Sequence, residues 1–474
     1  DADVPVSLTV AGGVLYFLDQ SANRVTLVDV GYATGSPDIP EKLLELSLSS
    51  FSATLEAPDH LAVANGRLFV ASATAGALTV IDVSDPKVPS LLQTFTSSDG
   101  AYPELAGANS VAIDGTKILV TAETTGGLSV FESIPLPDPV RMVVSGDVAY
   151  VANYSGSKIT VLDISDPAAV SLLGVLENGV DSERLSAVNS LTLAGDLLIA
   201  TAWFSDTITI YDVTDRANPV RLKQIIDNSN LNLHRPITTT VSGSYLYISN
   251  VGAGDSDAIT IYNIADPSAP EFVTEIISGQ ADLADPTRTV LVENVGSMQV
   301  VDDVLYAGTA NSRITIMNVK DPANPVLLDE VVDGDNGFNH VSAPGSLILK
   351  DGILYFRSGS ENAVTIARVT VTHDDDGVPT SVTLEKLAEM VHGDGTYAAL
   401  EGPAQMALDE HLLYVPAATS GAVTVIDVSN PALPVRLEEL VNGAGGYTNL
   451  AGAGAVVVAN NAVFITAADA AALT

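Results

Sequence analysis

One phrase recurs ten times along this chain of 474 residues, and it limits the folds that the chain can adopt. Each copy holds an apolar strand, a turn, a strand with an aromatic residue, a polar turn, and a strand ending in hydrophobic-Asp-hydrophobic. Val, Ile, Leu, Thr and Tyr dominate the runs, and Gly, Asn, Ser and Asp separate them, which predicts β-strands. No window has a 3.6-residue apolar period, so we expect little helix. The clear copies lie at 14–30, 67–86, 148–167, 197–215, 245–267, 304–322 and 412–431, and the weaker ones at 117–133, 353–369 and 462–474.

A turn and a fourth strand complete most copies. The third strand is followed by Asp-Pro-x-x-Pro, as at Asp85, Asp266 and Asp321. Asp at the first position of a turn accepts bonds from backbone amides, and the following Pro presets φ for a type I turn. A further strand comes next, as at 90–96 and 435–441. Repeats of four antiparallel strands without helices predict an all-β fold, a β-propeller with about ten blades.

A longer period leaves two domain organisations open. Residues 56–129 align without a gap onto 401–474 at an offset of 345, so the first three copies resemble the last three. The third and tenth copies lack a fourth strand. One interpretation is a single propeller of ten blades over 1–474; the alternative is a three-blade segment at 1–135 and a seven-blade propeller at 136–474. A three-blade segment would expose two open sheet faces, which favours one ring, whereas the seven-blade period favours a piece of a tandem array.

The best copies, GALTVIDVSDPKVP at 76–89 and GAVTVIDVSNPALP at 421–434, resemble the LVIVD repeat. That family forms β-propellers in surface and secreted proteins of bacteria and archaea. The resemblance covers nearly the whole chain and implies the type of blade. It implies no catalytic residues, because the repeat is a strand-and-turn signature. The third copy departs from it by ending in SVFES, and the eighth continues as VTIARVTVTHDDDG, which affects the number of blades expected.

Charge and composition exclude several classes of protein. Twenty Lys and Arg stand against 58 Asp and Glu, for a net charge of −38. Binding to nucleic acid or to an anionic membrane needs a basic face, so neither is expected. Cysteine is absent, which excludes disulfides and thiolate sites. The chain starts at Asp1 without a signal-type segment, which predicts a processed or excised form.

Three acidic loops have the composition of calcium sites. Calcium takes six to eight oxygen ligands, and loops supply them at alternate positions around a glycine. The loop at 333–337 lacks the downstream glutamate of an EF-hand, and a solvated turn is the competing interpretation for each loop. The candidate ligands are Asp333, Asp335 and Asn336 in the first loop, Asp374 and Asp376 in the second, and Asp255 and Asp257 in the third.

Aromatic and histidine residues form two further candidate sets. An aromatic follows a Gly-rich turn before several innermost strands, at Tyr102, Phe338, Tyr397 and Tyr447. Such residues either stack on a sugar or a partner, or fill the gap between blades, and regular repetition favours the second interpretation. His234 and His340 occupy comparable loops before innermost strands, and His60 begins an innermost strand. The three would hold zinc or manganese if they converged at a channel mouth.

These features predict an extracellular or cell-surface module that works by adhesion or assembly, in a surface layer, matrix or filament. Calcium is the cofactor that the acidic loops predict. The expected partners are other copies of the chain, or cell-surface protein or glycan. The alternative is a secreted metal-dependent lyase or lactonase-like hydrolase with its site at the channel mouth. The acidic surface, the array-like duplication and the absence of a concentrated catalytic motif favour the first.

Overall fold

The structure is a computed structural model in which the regular secondary structure of the described residues is almost entirely β-strand. Two 3-10 turns, Leu48–Ser50 and Val180–Ser182, are the helical elements with defined bounds in that part of the chain. Within it, no helix has the length and apolar character needed to cross a membrane. The described residues are 5–11, 13–30, 41–50, 57–64, 66–83, 85–97, 105–114, 117–132, 136, 138–166, 170–226, 233–251, 257–444, 447, 450–460, 462–468 and 472–473.

The chain divides into two compact units, 1–135 and 136–474. The first unit holds three antiparallel sheets, each numbered from its innermost strand outward: two have four strands and the third has three. Its strands are β1 Pro5–Ala11, β2 Val14–Asp19, β3 Arg24–Asp29, β4 Glu41–Ser47; β5 His60–Ala64, β6 Arg67–Ser72, β7 Ala77–Asp82, β8 Ser90–Thr96; β9 Ala108–Asp114, β10 Lys117–Ala122 and β11 Gly127–Glu132.

The second unit holds seven antiparallel sheets, six with four strands and the last with three. Its strands are β12 Pro139–Ser145, β13 Val148–Asn153, β14 Lys158–Asp163, β15 Ser171–Glu177; β16 Val188–Ala194, β17 Leu197–Ala202, β18 Thr207–Asp212, β19 Val220–Ile226; β20 Pro236–Ser242, β21 Tyr245–Asn250, β22 Ala258–Asn263, β23 Glu271–Ile277; β24 Ser297–Val301, β25 Val304–Thr309, β26 Arg313–Asn318, β27 Val326–Val332; β28 Pro344–Lys350, β29 Ile353–Ser358, β30 Ala363–His373, β31 Pro379–Val391; β32 Ala407–Asp409, β33 Leu412–Ala417, β34 Ala422–Asp427, β35 Val435–Val441; β36 Ala453–Ala459, β37 Ala462–Ala467 and β38 Ala472–Leu473.

The recurrent Asp after the third strand fixes the turn into the fourth, as its position in the repeat predicts. The carboxylate of Asp266 accepts hydrogen bonds from the backbone N–H and the hydroxyl of Ser268, at 3.0 and 2.6 Å. Asp212, the last residue of the third strand β18, makes the same pair of bonds with Thr214. Because these donors favour the ionised form, they lower the pKa of both carboxyl groups. The turn thus satisfies backbone groups that the strands leave free.

The seven sheets of 136–474 close into a ring. The innermost strands follow one another side by side, and β36 of the seventh sheet lies against β12 of the first. Asn460 beyond β36 donates a hydrogen bond of 3.0 Å to the carbonyl of Ile164, which ends the third strand of the first sheet. Radial four-stranded sheets around an axis are the blades of a β-propeller, so the predicted fold is confirmed.

The hydrophobic core lies between neighbouring sheets. One cluster joins the sheet β24–β27 to the sheet β28–β31 and includes Tyr306, Ile316 and Phe356, each no more than 1 % exposed. Similar clusters join neighbouring sheets in each unit. Where a sheet lies between two others, its second and third strands are buried on both faces, as in β17 and β18, which explains their nearly continuous apolar sequence.

The third, eighth and tenth copies, whose sequences differ from the repeat, also differ from the usual four-stranded sheet in structure. The sheets β9–β11 and β36–β38 have three described strands each, in the two copies predicted to lack a fourth. In the eighth copy, β30 and β31 extend to 11 and 13 residues and pair from Ala363 to His373. A long hairpin thus replaces the usual Asp-Pro turn, and the acidic run Asp374–Asp376 lies at its tip.

We propose that residues 136–474 form a self-contained seven-blade propeller, as in the alternative domain organisation. Two observations support this division: the first and seventh sheets of that unit bury each other's faces, and the compact units separate at 135. Between one ten-blade ring and this arrangement, the domain organisation stays a prediction that truncation can test.

A fragment containing 136–474 is expected to unfold in one cooperative transition with a β-type circular dichroism spectrum. A fragment containing 188–474 lacks the first sheet, so the faces of β16 and β36 would be exposed to water. It is expected to lose the cooperative transition or to aggregate. Thermal unfolding followed by circular dichroism and light scattering measures both. Failure of 136–474 to fold, alongside a folded full chain, would contradict the proposed division.

Candidate functional site

We call the loop between the outermost strand of one sheet and the innermost strand of the next a lead-in loop. The lead-in loops share a common local structure. Each carries an aliphatic side chain that is completely buried, followed two residues later by a residue of positive φ, such as Ala187 at 56° or Arg235 at 47°. The aliphatic side chain anchors the loop between sheets, and the left-handed residue turns the chain inward. The aliphatic residues are Leu105, Leu185, Leu233, Val292, Val341, Leu400 and Leu450.

The aromatic residues of these loops mostly fill gaps between sheets. Phe338 is 1 % exposed within the cluster that joins β24–β27 to β28–β31. Tyr397 is 5 % exposed in the next cluster. Tyr447 is 36 % exposed, and Tyr102 lies outside the described residues. For Phe338 and Tyr397 the structure therefore favours the packing interpretation over a ligand-stacking surface.

The first acidic loop uses Asp333 to hold the lead-in loop in place. Its Oδ1 accepts the backbone N–H of the buried Val341 at 3.0 Å. Asn442 does the same for Leu450 at 3.0 Å in a later sheet. Because an amide oxygen replaces a carboxylate at the equivalent position, the bond requires an acceptor and not a charge. Asp335 and Asn336 of this loop are exposed.

Aspartates in the turn between the second and third strands of a sheet also hold lead-in loops in place by hydrogen bonds. The Oδ2 atom of Asp257 accepts the backbone N–H of Asn294 at 2.6 Å, and Asp206 binds the N–H of Arg235 at 2.7 Å. Each bond ends on the positive-φ residue of a lead-in loop. Asp255, the other candidate in this loop, lies outside the described residues.

The second acidic loop, with Asp374 and Asp376, closes the long hairpin between β30 and β31. Asp374 Oδ1 accepts the N–H groups of Asp376 and Val378, at 3.0 and 2.8 Å. Lys320 of the preceding sheet donates to the carbonyls of Asp376 and Gly377, at 3.1 and 2.7 Å. A lysine ammonium thus occupies the neighbourhood where a cation would bind these backbone oxygens.

No three His, Asp or Glu side chains among the described residues are arranged to hold a metal ion. The carboxylates of Asp333, Asp257 and Asp374 are already hydrogen-bonded to backbone N–H groups. The assignment of calcium to these loops stays a prediction.

The histidines occupy separate local environments. His234 Nδ1 lies 3.3 Å from Asp206 Oδ1, and His340 Nδ1 lies 3.1 Å from Glu389 Oε2. His60 accepts the backbone N–H of Val111 at 3.5 Å. The structure does not bring the three together around one ion, so the convergence required for a zinc or manganese site is absent from the described residues.

The position of His60 belongs to a polar seam between innermost strands. At the same strand position in other sheets, a serine accepts a backbone N–H of the next sheet. Ser297 binds the N–H of Leu347 at 3.0 Å, and Ser346 binds that of Met406 at 2.8 Å. These bonds satisfy backbone groups that adjacent sheets could not pair otherwise. His60 is therefore a structural acceptor in this seam.

Two arginines of the second unit interrupt this polar but uncharged seam. Arg141 takes the serine position on β12, and Arg357 lies on β29, opposite Gly345 of β28 in the register. Both side chains keep partial exposure to solvent. Burial, and secondarily the charge of Arg357, lowers the pKa of Arg141 to about 10; burial also lowers the pKa of Arg357.

Sequence reasoning missed this pair. The two residues are 216 positions apart and lie in copies that are not adjacent. The signal that was available is the innermost-strand alignment, where Arg141 stands in register with Ser190, Ser297 and Ser346. An arginine at a position that serine occupies in three other sheets is a departure that the repeat makes visible.

The family model for the LVIVD repeat matches the sequence at residues 59–97, 140–177 and 406–440. Each match spans most of one sheet, from the innermost strand to the fourth, in both units. The chain carries the LVIVD repeat at these three places. The resemblance seen in the sequence is thereby confirmed, and the repeat coincides with the structural blade. No curated protein has a significant match to this LVIVD-repeat chain.

Solved structures with significant similarity include three bacterial proteins. A functionally unknown protein from Desulfotomaculum acetoxidans has 14% identity, a TM-score of 0.47, and coverage of 71% of this chain and 95% of its own. The periplasmic gluconolactonase PpgL of Pseudomonas aeruginosa has 13% identity and a TM-score of 0.47, and the match covers 69% of this chain and 92% of PpgL. BamB from Moraxella catarrhalis has 14% identity and a TM-score of 0.41, and the match covers 76% of this chain and 93% of BamB. Similarities at these TM-scores assign no activity to the LVIVD-repeat chain.

Replacing Phe338 by Ala is expected to lower the free energy of unfolding by about 3–5 kcal/mol, because it leaves a cavity between two sheets. The matched change Tyr447→Ala removes an aromatic from the equivalent position, where the ring is partly exposed, and is expected to cost much less. Chemical denaturation followed by intrinsic fluorescence measures both. Equal losses for the two variants would show that Phe338 has no special packing role.

Proposed function

We propose that this LVIVD-repeat chain is an extracellular or cell-surface β-propeller that acts by assembly, binding further copies of itself in a layer, matrix or filament. The observation that carries the proposal is the apolar outer edge of the second unit. The outermost strand of a sheet leaves one row of backbone N–H and C=O groups unpaired, which makes it a template for a neighbouring chain.

The edge of the sheet β32–β35 is the most apolar of these edges. Leu433, just before β35, is 71 % exposed, and Val435 and Leu437 within it are each 56 % exposed. Two other outermost strands expose Val220 at 60 % and Phe272 at 49 %. Large apolar side chains grouped on an exposed edge are typical of protein interaction sites.

The net charge of −38 supports the extracellular and self-associating parts of the proposal in different ways. Repulsion between chains of this charge keeps them apart at low ionic strength. At about 0.15 M salt the Debye length falls to about 8 Å, and exposed charges farther apart are largely screened. Short-range apolar contacts at the edges then determine whether two chains associate. Secretion and surface location remain proposals that the acidic composition favours.

The double substitution Leu433→Glu and Leu437→Glu is expected to abolish self-association, because it places two carboxylates on the apolar edge. In sedimentation velocity at about 0.15 M salt, the unaltered chain is expected to form larger species as its concentration rises. Val180→Glu is the control, since Val180 is 52 % exposed but lies in a lead-in loop. An unaltered chain that stays monomeric, or a double variant that associates equally, would contradict assembly through this edge.

We also propose that calcium stabilises the acidic loops, through exposed oxygens such as those of Asp335. Millimolar calcium is expected to raise the melting temperature above that in sodium chloride of equal ionic strength, and a chelator should reverse the gain. Asp335→Asn should reduce the gain, whereas Glu438→Gln, on an exposed outermost strand, should leave it unchanged. A melting temperature that is the same with calcium, with chelator and with sodium chloride would exclude a specific role for the ion.

A further inference from the structure

Arg141 and Arg357 differ from every other arginine in the chain. The chain has twelve arginines. Ten contact a carboxylate, a polar oxygen or an aromatic ring. Within the described residues, Arg141 and Arg357 form no ion pair and no side-chain hydrogen bond. Unpaired guanidiniums are unexpected in a protein with 58 acidic residues, because carboxylates are available to pair with almost any exposed cation.

Contacts among three sheets bring Arg141 and Arg357 to one region of the seven-sheet ring. Arg141 belongs to the first sheet and Arg357 to the fifth, and these sheets are not neighbours in the ring. Ser346, on the strand paired with that of Arg357, accepts the backbone N–H of Met406 at 2.8 Å. The preceding residue, Gln405, lies 3.4 Å from the carbonyl of Met142, which follows Arg141. The charge of Arg357 contributes to the lowered pKa of Arg141, in agreement with this placement. Two positive charges held close together without a counter-ion repel each other.

The backbone around Arg357 is shaped to admit its guanidinium. Glycines occupy positions 345 and 359, and a Cβ atom at either position would come within 3 Å of the guanidinium nitrogens, at 2.9 Å from Gly345 and 2.6 Å from Gly359. The Nε atom of Arg357 is buried and has no hydrogen-bond partner. An unpaired charged donor at such a depth costs free energy, unless a ligand satisfies it.

Gln405 brings a third polar side chain to this region. It precedes β32 in the sixth sheet, and its Nε2 lies 3.4 Å from the carbonyl of Met142, the residue after Arg141. The Oε1 atom of Gln405 is buried and unpartnered. The region therefore offers two planar guanidinium donors together with one amide acceptor, which suits an oxyanion that also carries an O–H group.

We propose that the axial channel of 136–474 binds a small hydroxyl-bearing oxyanion, a hydrogen phosphate or a hydroxycarboxylate, between the guanidiniums of Arg141 and Arg357 and beside Gln405. The anion would neutralise the repulsion between the two guanidiniums, and bidentate contacts would fix its orientation. The acidic exterior disfavours anions in general, so occupancy depends on this local pair of charges.

Isothermal titration calorimetry on the full chain tests the proposal with sodium phosphate, sodium lactate and sodium chloride at equal ionic strength. We expect one site per chain for phosphate or lactate, with no saturable heat for chloride. The arm with the higher affinity identifies the class of oxyanion. Identical responses to all three salts, which screening alone would produce, would overturn the proposal.

Arg141→Met and Arg357→Met are each expected to weaken binding by about tenfold or more, because each removes charge-assisted hydrogen bonds. Arg368→Met is the control, since Arg368 is an exposed arginine paired with Glu385 away from the axis. Undiminished affinity in the Arg141→Met, Arg357→Met double variant would exclude the site.

Melting temperatures in buffer without oxyanions supply a second readout. Each Met variant is expected to melt at or above the temperature of the unaltered chain, since it removes an uncompensated charge and its repulsion. A lower melting temperature for both would show that the arginines serve the fold through contacts of their own, and would contradict a ligand-binding role.

Discussion

Burial of apolar sheet faces against neighbouring sheets is the interaction on which the rest of this structure depends. A single sheet with two apolar faces cannot be stable in water, and closing the ring of 136–474 through β12 and β36 covers the last two faces. Since the innermost strands then lie beside one another without pairing as a sheet, their backbone N–H groups need acceptors across the seam. The serine bonds, such as Ser346 to Met406, supply them. Packing thus determines where polar residues are required.

The same constraint explains several acidic residues in the loops, such as Asp206, Asp257 and Asp333. Loops that cross between sheets must be held against the core, and hydrogen bonds to backbone N–H groups do this most directly. Asp333 and Asn442 perform the same task with different charge states. Aspartate in these loops is therefore partly a structural choice, and the negative surface arises in part from the repeated use of one acceptor.

Arg141 and Arg357 differ from the other arginines because they have no ion pair and no side-chain hydrogen bond within the described residues. The other ten arginines have a carboxylate, a polar oxygen or an aromatic ring as a partner, and serine hydroxyls such as those of Ser297 and Ser346 form hydrogen bonds between innermost strands. At the axis, the repeat places one residue from each blade around a common centre, so substitutions in two copies are enough to create a binding site. A repeat protein can gain a site in this way without changing its core or its fold.

The strand pattern, the Asp turns, the missing fourth strands and the identity of the repeat could all be read from the sequence. These features depend on local alternation and turn chemistry, which neighbouring residues express directly. Whether Phe338 faces a ligand or the core, and whether His60, His234 and His340 meet, could not be predicted. Both depend on which blades become neighbours and on the direction in which each loop turns. The meeting of Arg141 with Arg357 has the same origin: only closure of the ring brings the first sheet opposite the fifth, across 216 residues of sequence.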